Sequence, residues 1–83
     1  MGLELVETVY RVEKEFEIYI PDEIATTLNT PGKMIEYIML KTKGKYSRDE
    51  ISKRFWLFLE EESGHDLSRF NEDSRFVEDM KLG

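Results

Sequence analysis

The sequence contains no cysteine, which excludes disulfide frameworks, thiolate nucleophiles and cysteine-ligated zinc and leaves no mark of an oxidising compartment. There is one histidine, His65, set in an acidic stretch. A hydrolase triad needs a base oriented beside a nucleophile, so the expectation for His65 is a solvated loop residue. Long apolar runs are missing too, and none approaches the roughly 18 residues of a membrane span. The opening Met-Gly-Leu-Glu-Leu-Val-Glu places acids where a signal peptide needs a basic segment, so a cytoplasmic location is expected. The few glycines form no phosphate cradle. Positive charge is scarce, with 12 Lys and Arg against 18 Asp and Glu, a net charge of −6. That balance repels a phosphate backbone, and neither a nucleic-acid nor a membrane partner is expected.

The acids do not assemble into obvious chemistry. Asp66, Glu72 and Asp73 lack the glycine and 12-residue spacing of an EF-hand loop, so no metal site is expected. Glu60-Glu61-Glu62 and Glu78-Asp79 would need one carboxyl desolvated in a cleft to act as acid and base; charge runs of this kind are usually wetted faces. The chain is therefore expected not to be an enzyme.

What is present suits one domain over residues 1–83: 83 residues, 40% apolar, with ten aromatic side chains. Charge is uneven. Residues 1–32 hold seven acids and two bases, residues 33–54 three and seven, residues 55–83 eight and three. The basic stretch (Lys41, Lys43, Lys45, Arg48, Lys53, Arg54) fits a helix C-terminus, where the dipole favours cations, followed by an exposed linker.

Periodicity predicts helices. Leu5, Val9, Val12 and Phe16 recur on one narrow face of a helix over 3–16. Leu3, Val6 and Tyr10 form a second apolar row about 100° away, either a docking surface or a core stripe widened toward a neighbouring helix. Residues 17–23 read as a loop with Ile18 or Ile20 anchored inward, and Pro21 opens a short turn over 22–28. Thr30-Pro31 is a cap and first helical position for a helix over 31–43, buried through Met34, Ile35, Ile38 and Met39 and stopped by Gly44. Ser47 to Glu50 is a capping box for a helix over 47–62, with Ile51, Phe55, Phe58 and Leu59 inward, Trp56 beside them and Gly64 closing it. A polar loop follows over 64–73, pinned by Leu67 and Phe70, then one last turn over 75–80 around Phe76, Val77 and Met80. The expected fold class is all-α, a small three-to-four-helix bundle.

Leu3 to Glu23, with its Glu-Phe-(acid)-x-x-Ile-Pro-Asp-Glu pattern, resembles the second helix and following loop of acyl carrier proteins. Thr30 through Glu36-Tyr37-Ile38 is similar to that family's third and fourth helices. Residues 49–62 look like its first helix, and Gly64 to Met80, ending in Phe76-Val-Glu-Asp-Met80, like the loop after it. The resemblance thus implies an acyl-carrier-protein-like bundle in circularly permuted order, the first helix and its loop placed last and Lys43 to Tyr46 bridging what would otherwise be free ends. Such a change is cheap where termini lie close together. With so short a bridge, the protein is expected to be a monomer or a domain-swapped dimer.

The resemblance also implies what has gone. Carrier proteins bond a phosphopantetheine arm to the serine of Asp-Ser-Leu; here the register gives Met1-Gly2-Leu3, and Gly2 has no oxygen to phosphorylate. The other Asp-Ser pair, Asp73-Ser74, precedes Arg75 rather than leucine, which leaves Ser74 a weak candidate whose ordinary role is capping the next turn. No cofactor is expected; 4'-phosphopantetheine belongs only to the alternative of a working fatty-acid or polyketide carrier modified at an unconventional serine. The family's docking surface is retained in Leu3, Val6 and Tyr10 with Glu4, Glu7 and Glu13, and implies a protein partner with a basic patch, such as a fatty-acid or polyketide enzyme. Arg11 and Lys14 stand where that pattern has small or acidic residues.

Overall fold

A computed structural model describes the backbone of residues 3–82 and the side chains of residues 5–82. The first apolar stripe produces helix α1, Leu3–Phe16. Leu5, Val9, Val12 and Phe16 are all buried, each contributing roughly 1.5–3 kcal/mol through the surface it removes from water. The helix stops without glycine: Glu17 takes the left-handed conformation at φ 55, and the Ile18 amide donates back to the Glu13 carbonyl at 3.1 Å, the bond that closes a Schellman turn. Of the two candidate anchors Ile20 is fully buried and Ile18 packs against the core only in part.

Pro21 precedes helix α2, Asp22–Ala25, and turns through Leu28 continue it. Helix α3, Pro31–Thr42, starts as expected, the Thr30 hydroxyl accepting from the Lys33 amide at 3.2 Å. Its end differs from the sequence expectation. The left-handed cap is Lys43 (φ 51), with Gly44 (φ 80) following in the same conformation, so the helix finishes one residue early. Met39, expected inside, is only partly buried.

Helix α4, Arg48–Ser63, is capped by Ser47, whose hydroxyl accepts from the Glu50 amide at 3.1 Å, and closed by Gly64 at φ 72. Only that half of the capping box forms, because the Glu50 side chain pairs with Arg54 at 2.8 Å instead. Ile51, Phe55, Phe58 and Leu59 are buried as α4 packs against both α1 and α3. Across the connection, Tyr46 sets its ring edge-on to Phe16 at 5.2 Å and the Arg54 guanidinium lies 5.2 Å from the Tyr46 ring.

Residues 64–82 carry no helix and wrap the bundle as a tail anchored by Leu67, Phe76, Met80 and Leu82. It is tied to α3 by the Gly32 amide donating to the Glu72 carbonyl (3.0 Å), and to the segment before α3 by the Phe76 amide donating to the Asn29 carbonyl (3.0 Å). Four helices and no strand occur among the described residues, which is the all-α bundle expected. Among the described residues, no helix is long and apolar enough to cross a membrane.

Candidate functional site

Val6 and Tyr10 of the second apolar row on α1 do not enter the core. Val6 is 46% exposed and Tyr10 62%, and Glu7 between them is exposed too. A stripe widened toward a neighbouring helix would have lost that surface, so the face is turned to solvent. Of the other residues picked from sequence, Gly2 and the side chains of Leu3 and Glu4 lie outside the described residues. Glu13 is employed within the fold: its carboxylate accepts from the Ile20 amide at 2.7 Å and fixes the turn after α1. Val6, Glu7 and Tyr10 share the outer side of α1; Glu13 lies on the same side, but its carboxylate is taken up by that turn.

Beside Tyr10 runs an open groove of about 490 Å³ lined by Glu7, Tyr10, Arg11, Lys14, Glu15 and Glu62. Arg11 crosses to α4, 2.7 Å from Glu61 and 3.3 Å from Glu62, its guanidinium 4.4 Å from the Phe58 ring centre. The Glu60 carboxylate accepts from the Leu67 amide at 3.2 Å. The run Glu60 to Glu62 therefore binds elements together, which the reading as a wetted face missed. The uneven spread of charge along the chain held only a faint signal of it.

A second cavity, of about 260 Å³, is lined by Leu5, Ala25, Leu28 and Asn29 together with Phe76 and Val77. The tail therefore lies against the first turns of α1. Gly2 lacks a hydroxyl, and the Ser74 oxygen accepts from the Asn71 amide at 3.0 Å, closing its own turn.

Among the described residues, three ionisable groups are perturbed. Glu72 is held below the usual carboxylate value by its hydrogen bonds from Arg48, and Arg48 is raised in return. Asp66 is lowered by the Ser68 amide, which donates to it at 3.0 Å. None is a desolvated acid in a cleft. His65 is exposed in the loop after α4. No group of three or more His, Cys, Asp or Glu suited to a metal ion occurs among the described residues.

Fold and face together define a small all-α protein with an acidic-apolar helix turned outward. Comparison with known proteins finds a partial likeness: the chain is 49% identical over 42 residues to an acyl carrier protein of Buchnera aphidicola subsp. Schizaphis graminum (strain Sg). The match takes in 51% of this chain and 53% of that protein, so the chain spans about half of that relative's length. No family profile and no solved structure matches.

Proposed function

We propose that this chain is an acyl-carrier-like, non-catalytic protein that docks on a partner enzyme through the outer face of α1 and carries no phosphopantetheine at the usual position. The observation that carries the reading is the contrast along one helix. Leu5, Val9, Val12 and Phe16 are buried while Val6 and Tyr10, beside Glu7, stay in water. Exposed apolar residues grouped on one face are a signature of an interaction site. The acids around them favour a partner with a basic patch, and fatty-acid or polyketide enzymes are the class the likeness suggests.

The order of elements supports a permuted connectivity. The helix resembling the family's first, α4, follows the other three, and the cavity shared by Leu5 with Phe76 and Val77 sets the tail beside α1. A single chain would then lead from residue 82 toward residue 3 along the usual path, with Gly2 where the serine stands in the family. Modification at Ser74 gains no support, since its hydroxyl is committed to Asn71.

The test is binding of wild type and Tyr10→Glu to immobilised fatty-acid and polyketide enzymes that bear a basic docking patch. Loss of about tenfold or more in affinity, the size of a hot-spot effect, with unchanged melting temperature supports the reading. Equal binding by both proteins removes it.

A further inference from the structure

Two cations interrupt the acids of α1, and the structure treats them differently. Arg11 is answered by two carboxylates, Glu61 and Glu62, and stacks on Phe58. It is a rivet between α1 and α4 and adds no net positive field to the outer face. Lys14 is exposed, no described carboxylate lies within ion-pair reach, and its ammonium sits 5.5 Å from the centre of the Tyr10 ring. The one exposed aromatic of the face is thus covered by the chain's own cation.

We infer that Lys14 is the specificity-determining residue of this face, occupying on Tyr10 the seat that an arginine of the partner takes on docking. The inference rests on the docking reading above and extends it from α1 to the last turn of α4. The groove beside Tyr10 and its rim bring Glu7, Glu15, Glu61 and Glu62 against Arg11 and Lys14, so a cationic partner meets a surplus of carboxylates. Arginine stacks on an aromatic face better than lysine and is more weakly hydrated. It therefore displaces the ammonium, whereas neutral or weakly basic surfaces leave Lys14 in place. Lys14 subtracts from every basic partner's affinity and so raises the charge a partner must bring.

The experiment titrates the isotope-labelled protein with a synthetic helical peptide bearing arginines on one face and leucines on the other. Amide shifts are followed by NMR for wild type, Lys14→Gln and Lys53→Gln. Lys53 is an exposed lysine on α4 and controls for the change in net charge. Shifts centred on residues 6–15 and 61–62, with binding tightened about fivefold by Lys14→Gln and under twofold by Lys53→Gln, bear the inference out; those sizes are typical of single charges near a polar interface. Equal tightening by the two variants overturns the role of Lys14 and leaves the docking face standing. Shifts scattered away from α1 in all three proteins overturn the docking face itself.

Discussion

Arg48, in the first turn of α4, grips Glu72 of the tail with both ends of its guanidinium, at 2.9 and 2.5 Å, while Glu36 approaches from α3 at 4.0 Å. This planar, two-pronged contact is the geometry in which arginine binds carboxylate best. It lowers the Glu72 pKa from its ordinary 4.5. A carboxyl whose folded pKa is depressed adds stability that is complete above its unfolded value and fades as the pH falls through the folded one. Glu72→Gln is therefore expected to melt below wild type at pH 7, with the gap closing as the pH is lowered through the carboxylate range. Thermal melts across that range check it; a gap that ignores pH contradicts the assignment.

Gly32 sits under the same contact. A Cβ there would lie 3.1 Å from the Glu72 carbonyl oxygen and 3.3 Å from its Cβ, and the Gly32 amide already donates to that carbonyl. Alanine ordinarily stabilises a helix by up to about 1 kcal/mol over glycine. Here the tail must move away, so Gly32→Ala is expected to lose about 1 kcal/mol net, read from urea denaturation.

Glu17 offers the opposite sign. Its φ of 55 closes α1 in a conformation that costs a side-chain-bearing residue roughly 1 kcal/mol or more. Its ion pair to Lys45, at 3.7 Å with both groups largely exposed, contributes little. Glu17→Gly is expected to stabilise by about 1 kcal/mol, measured the same way.

Two apolar residues separate core from surface. Phe55 is wholly buried on α4, and Phe55→Ala is expected to cost about 3–5 kcal/mol. A chain of this size has a reserve of about that magnitude, so circular dichroism should show the variant largely unfolded at room temperature. Leu40 is 70% exposed on α3, and Leu40→Ala should stay within about 0.5 kcal/mol of wild type.

Periodicity carried the helices because burial on one face is a local pattern: Leu5 to Phe16 and Ile51 to Leu59 announce their own inward sides. Thr30-Pro31 and Ser47 announced their starts for the same reason. What sequence could not show depends on partners distant along the chain. Nothing near Arg48 points to Glu72, 24 residues on, nor near Arg11 to Glu62, 51 residues on. Glu13 shares the angular position of Val6 and Tyr10 on a helical wheel, yet the turn returning past it claims its carboxylate. Leu82 looks like a stray apolar residue near the end, but it is 1% exposed because its amide bonds back to the Phe76 carbonyl and folds it under the tail.

The central claim is a carrier-like chain whose permuted path puts glycine where the arm-bearing serine belongs. Its most direct test is intact mass after incubation with coenzyme A and a broad-specificity phosphopantetheinyl transferase, comparing wild type with the double variant Met1→Asp, Gly2→Ser expressed behind a cleavable tag. The account predicts an unchanged mass for wild type and one added phosphopantetheinyl group on the variant. A mass gain on wild type, or a variant that stays unmodified while folded, would contradict it.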